Sequence, residues 1–179
     1  MKRTAFLLVV FLATAIVASA QMQMPTPGPE VKRLDYFTGN WTSEGNVKAG
    51  AWGPGGKFTY TEHDEWMDGS FFLVGHSSYK MPTEMGGNLT QLSVMGYDTS
   101  EKVYIYTGFN SAGERTVYKG TLDGDTWTWN STENLRGTSM KGRFTMKVLS
   151  PASFSMKFEM SPDGTNWTTF MEAAATRAK

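Results

Sequence analysis

Arg143-Phe144-Thr145-Met146-Lys147-Val148 and, beyond the turn Ser150-Pro151-Ala152, Ser153-Phe154-Ser155-Met156-Lys157-Phe158-Glu159-Met160 are the stretches that decide the fold. In the first, Phe144, Met146 and Val148 alternate with Arg143, Thr145 and Lys147; in the second, Phe154, Met156, Phe158 and Met160 alternate with Ser153, Ser155, Lys157 and Glu159. Successive side chains of an extended strand point to opposite faces, so a period of two gives each segment one apolar and one wet face. Two such segments joined by a tight turn make an antiparallel hairpin with a core on one side.

Working outward, about ten runs of this kind follow Gly39, at 40–48, 57–67, 70–80, 88–98, 102–109, 115–122, 125–132, 141–149, 152–161 and 166–175. They are rich in Thr, Tyr, Phe, Trp and Val, the residues that suit a pleated, half-buried surface. Between them lie Asp68-Gly69, Asp98-Thr99-Ser100-Glu101, Ser111-Ala112-Gly113, Asp123-Gly124-Asp125 and Ser161-Pro162-Asp163-Gly164, which carry Gly or Asp where positive φ is needed and Pro to start a turn. Longer Gly/Pro stretches at 49–56 and 81–88 read as open rim loops. Sequential hairpins with one apolar face and no helices to cover it are expected to close into an all-β, antiparallel up-and-down barrel of about ten strands. A two-sheet sandwich is the rival, although it usually needs longer crossovers. Ahead of the first strand, Val31, Leu34 and Phe37 recur within 30–37 and predict a short N-terminal helix that plugs one end.

The chain opens with Lys2 and Arg3, an apolar run from Ala5 to Val17, and Ala18-Ser19-Ala20, the pattern of a cleavable export signal over residues 1–20. The run is too short for a membrane span. Residues 21–29, with three prolines and a glycine, suit a flexible leader, leaving 30–179 as a single domain. There is no cysteine, so neither a disulfide nor a lipid-modified cysteine is available, and the domain must fold on its core. Without the signal, fifteen basic residues face seventeen acidic ones, a net charge of −2 that offers no footprint for nucleic acid or anionic membrane. The expectation is an exported protein, periplasmic or extracellular, without stable membrane insertion.

A short helix running into Phe37-Thr38-Gly39-Asn40-Trp41 resembles the Gly-x-Trp entry of the lipocalin and wider calycin barrels. In those folds the Trp closes the barrel floor and often stacks on a basic side chain near the chain's end; Arg177 is the candidate here, with Arg143 the weaker one. Further matches are Asp68-Gly69-Ser70-Phe71-Phe72-Leu73 after Trp66, Gly96-Tyr97-Asp98, and Ser161-Pro162-Asp163-Gly164-Thr165-Asn166-Trp167 leading to Phe170-Met171-Glu172. Together they resemble a bacterial family of secreted, calycin-like proteins known only as a domain of unknown function. The resemblance implies a barrel and carries no activity.

A barrel of this size leaves room for one small ligand or is filled by its own side chains. Both remain open, because Trp41, Trp66, Trp127, Trp129, Phe144, Phe154 and Phe158 could line a pocket or occupy it. On the ligand reading, Tyr60, Trp66, His76, Tyr104, Trp129 and Phe144 are the candidate binding residues for a small hydrophobic molecule. The run at 57–67 puts Phe58, Tyr60, Glu62, Asp64 and Trp66 on one face and His63 and Glu65 on the other. His76 shares the side of Phe72 and Val74. If the two strands pair across Asp68-Gly69, their registers could bring His63 and His76 close. An enzyme of isomerase or hydrolase type would then use His63 or His76 with Glu62 or Asp64 as acid and base; otherwise the histidines face solvent or bond locally.

No zinc pattern exists with two histidines and no cysteine, and no histidine follows His76 to bind haem as some calycin barrels do. Met22-Gln23-Met24 invites a Cu(I) reading, against which the methionines in apolar register serve as core fillers. Neither a Gly-x-Ser-x-Gly elbow nor a phosphate-binding glycine loop is present. The four Asn-x-Ser/Thr sites, at Asn40, Asn88, Asn130 and Asn166, matter only in a glycosylating host. No metal, cofactor or catalytic residue is therefore named, and a structural module binding a protein partner stays as a third class.

Overall fold

The computed structural model describes residues 25–51, 53–135 and 137–178, and the export signal and Met22-Gln23-Met24 lie outside them. Ten antiparallel strands close into one barrel: β1 Gly39–Val47, β2 Gly56–Trp66, β3 Leu73–Lys80, β4 Asn88–Asp98, β5 Val103–Asn110, β6 Arg115–Asp123, β7 Thr126–Leu135, β8 Thr138–Ser150, β9 Ser153–Ser161 and β10 Thr168–Arg177. Each strand pairs with its sequence neighbours, and β1 pairs with β10 from Trp41 opposite Arg177 to Val47 opposite Met171. No sheet edge is left open by that closure, which is how an all-β meander escapes edge-to-edge association. The 143–160 hairpin forms as expected and brings its two apolar faces together, with Phe144 opposite Phe158 and Met146 opposite Met156.

The expected helix forms in two parts, an α-helical turn α1 over Pro29–Lys32 that tightens into a 3-10 helix over Arg33–Phe37. The tightening follows from the spacing of Val31, Leu34 and Phe37: a period of three matches 3.0 residues per turn, so the three line up and are all buried. This segment plugs the end of the barrel where β1 begins. Phe37 meets Trp127 edge to face with centroids 5.1 Å apart, while Trp41 packs on Phe154 at 4.9 Å.

Polar bonds fix the plug from several sides. The Tyr36 hydroxyl donates to the carbonyls of Ser150 and Ser153 at 3.0 and 2.9 Å, the Tyr104 hydroxyl to that of Glu30 at 3.1 Å, and the Trp66 indole to Asp35 at 2.8 Å. Arg177 stacks over the Trp41 ring at 4.4 Å and donates to the carbonyls of Tyr36 and Thr38, so it and not Arg143 partners the tryptophan. Arg143 instead lies over Trp167 at 4.0 Å and pairs with Glu159. At the opposite end, residues 48–51 and 53–55 and the connection 81–87 form the rim as expected, the last containing a 3-10 turn at Thr83–Met85 that the sequence reading did not anticipate.

Candidate functional site

Alternation along β2 sends Phe58, Tyr60, Glu62, Asp64 and Trp66 inward, in that order from the open mouth to the plug. Register places small or polar residues beside the carboxyls. Glu62 lies opposite Trp41 on β1 and Ser77 on β3, and Asp64 opposite Gly39 and Gly75. Gly75 in turn lies opposite Ser93 on β4. A Cβ at Gly75 would stand 2.4 Å from both Asp64 Oδ1 and Ser93 Oγ, so only glycine lets these groups approach. The wall from β1 to β4 is thereby polar at mid-depth, with Ser43, Glu62, Asp64, Ser77, Gln91 and Ser93.

The facing wall is apolar. Strands β7 to β10 contribute Trp129, Phe144, Met146, Phe154, Met156, Phe158 and Met171, and the Trp129 ring is accommodated because its cross-strand neighbour Gly120 has no side chain beneath it. Between the walls lies a cavity of about 340 Å³, open toward Met81, Leu89, Asn110, Glu114 and Phe170 at the mouth. The interior is therefore hollow above a filled floor, and its volume falls in the range of small-ligand pockets.

Burial pushes the carboxyls of Glu62 and Asp64 well above the usual carboxylate range, and for Asp64 the neighbouring Glu62 charge adds to the effect. The Tyr60 hydroxyl donates to Glu62, which opposes the rise there. Tyr60, Tyr79, Tyr106 and Tyr118 surround the upper cavity, and burial raises all four phenols, leaving them neutral hydrogen-bonding groups. Tyr106 accepts a bond from Gln91 at 2.5 Å. Asp64 Oδ1 and the Ser43 and Ser77 hydroxyls are buried without a hydrogen-bond partner on the protein, and such orphans are uncommon in folded chains.

Of the six residues expected to bind a ligand, Tyr60, Trp129 and Phe144 line the cavity. Trp66 and Tyr104 belong to the floor, where their polar atoms are engaged by the plug. His76 corrects the expectation: it stands on the outer, exposed face, because β3 turns Leu73, Gly75, Ser77 and Tyr79 inward. His63 and His76 are indeed direct cross-strand partners, but outside the barrel, where His63 Nδ1 lies 2.9 Å from Asn40 Oδ1. The sheet separates them from Glu62 and Asp64, which removes the anticipated histidine–carboxylate pair. Among the described residues no group of three or more His, Cys, Asp or Glu is gathered as a metal site.

The sequence reading missed Ser43, Gly75, Ser77, Ser93, Gln91, Tyr79, Tyr106 and Tyr118. Their signal was the same period of two in β1 and in β3 to β6, muted because these inward residues are small or polar.

Among solved structures, the chain is similar to Rv2717c from M. tuberculosis, at TM-score 0.58 and 12% identity over 85% of this chain and 99% of that one. It is also similar to the S-type phycobiliprotein lyase CPES from Guillardia theta, at TM-score 0.55 and 9% identity over 83% and 92% of the two chains. Both likenesses concern the fold. No curated protein matches it by sequence. A family model does match, over residues 26–177, and the chain accordingly belongs to the family described as Protein of unknown function (DUF1579).

Proposed function

We propose that this is an exported, calycin-like binding protein that takes one small, largely apolar molecule into its barrel through the open mouth. The observation that carries the reading is the two-walled cavity: aromatic and methionine side chains on one wall, and on the other buried polar groups, among them Asp64 with its unpartnered Oδ1. Apolar lining with a few placed polar groups is the usual build of a small-molecule site. One barrel of similar fold is named a phycobiliprotein lyase; at 9% identity that likeness supports the scaffold and leaves the ligand open. Export rests on the tripartite pattern of residues 1–20.

Native mass spectrometry of the protein, purified gently from its own host without detergent, tests the reading. An added mass of one small molecule per chain is expected, lost in a variant whose cavity is filled by Met171→Trp. Chains of bare polypeptide mass that also take up no small apolar probe would contradict it.

A second reading, docking of a protein partner, has one observation in its favour. Leu92 and Phe109 are cross-strand partners on the outer face, 42% and 50% exposed, with Val117 on the next strand. Loss of a co-purifying protein in Phe109→Glu would support it.

A further inference from the structure

The charge inside the barrel is one-sided. Glu62, Asp64 and Glu114 line the cavity, and among the described residues that line it none is Lys, Arg or His. Asp64 is 2% exposed, and its Oδ1 lies beside Gly75 and Ser93 with no hydrogen bond made to it. An isolated carboxylate is costly in such surroundings and stays ionised only if a cation reaches it. The groups beside it cannot supply one: Ser43, Ser77, Ser93, Tyr60 and Tyr79 are hydroxyls, and Gln91 is already bonded to Tyr106.

We propose that the ligand is a primary or secondary amine on an apolar body, its protonated nitrogen seated between Glu62 and Asp64 and its body against Trp129, Phe144 and Met156. The inference rests on the binding reading above and names the ligand class for that same cavity. An N–H-bearing cation donates to Asp64 Oδ1, which is otherwise unsatisfied, and to the Glu62 carboxylate beside its bond from Tyr60, forming two charge-assisted bonds at once. A quaternary ammonium has no hydrogen to give Asp64. An anionic headgroup would meet the two carboxyls of Glu62 and Asp64 with no base to pair it, and a neutral alcohol would satisfy one acceptor without balancing charge. Tyr60, Tyr79 and Tyr106 line the same cavity and supply aromatic surroundings that suit a cation.

The test compares 4-phenylbutylamine, 4-phenylbutanol and 4-phenylbutyrate, which share a body and differ in the headgroup, by calorimetric titration at neutral pH. The amine is expected to bind about tenfold or more tightly than the alcohol, as one charge-assisted bond would give, with the carboxylate weakest. In Glu62→Gln/Asp64→Asn, which keeps shape and removes charge, the amine should lose about tenfold while the alcohol stays within about twofold. Retained alcohol binding shows that this variant is folded with its cavity intact. An alcohol or carboxylate that binds as tightly as the amine, or a double variant that keeps the amine preference, overturns the amine assignment and leaves the binding cavity standing. Binding of none of the three to the wild-type protein overturns both.

Discussion

Single residues decide what the barrel can hold and how it is shut. Gly75 is a tight point beside the carboxyls, since any side chain there collides with Asp64 and Ser93. Gly75→Ala should cost about 2 kcal/mol of stability through overpacking, seen as a lower denaturant midpoint at unchanged slope. Arg177 has two tasks, stacking on Trp41 and holding the plug's carbonyls. Arg177→Ala should lose about 2 kcal/mol, and Arg177→Lys should recover little, because a lysine cannot stack and fork at once. The Trp41–Arg177 pair was legible from the Gly-x-Trp resemblance. Gly75 was not, because a lone glycine in a strand does not announce which side chains it makes room for. The outer histidines give the contrary prediction: changing both His63 and His76 to Ala should alter stability by less than about 0.5 kcal/mol, as for other surface sites, and leave ligand uptake unchanged.

At the scale of elements, all ten strands could be read from the period of two and from their turns, because neither signal needs tertiary information. Ends were less legible. β3 starts at Leu73 and not at residue 70, since the turn extends through Ser70, whose φ of 56° is left-handed, to Phe72. The segment 30–37 was recognised as helical, whereas its 3-10 half comes from packing Leu34 and Phe37 onto Leu73, Tyr104 and Trp127. That packing makes the plug the main source of floor stability. Leu34, fully buried, should cost about 3 kcal/mol when truncated to Ala, measurable by chemical denaturation. Which inward faces would line a cavity and which would pack could not be read strand by strand. The outcome depends on how far the plug reaches: it engages the polar atoms of Trp66 and Tyr104 and packs into the cluster that includes Trp129, while Tyr60 lines the cavity above.

At the scale of the whole molecule, the cavity is lined by acids and, among the described residues, by no bases, and this has a thermodynamic signature. Glu62 and Asp64 are raised in the folded state above their unfolded values near 4, with Tyr60, Tyr79 and Tyr106 facing them. The folded protein therefore holds more protons than the unfolded chain above that pH. Their stabilising contribution is complete below about pH 4 and is lost as pH rises through the folded values toward alkaline conditions. The ligand-free thermal midpoint should fall by on the order of 5 °C between mildly acidic and mildly alkaline buffer. Glu62→Gln/Asp64→Asn should flatten that dependence, and a bound amine should oppose it by stabilising the ionised pair.

Binding of an apolar molecule in the cavity is tested most directly by a fluorescence titration with N-phenyl-1-naphthylamine. The emission of this probe rises when it leaves water for an apolar pocket. A saturable rise with one site per chain is predicted, absent in Met171→Trp at unchanged thermal midpoint. Emission that stays at the level of free probe across the titration of the wild-type protein would contradict it.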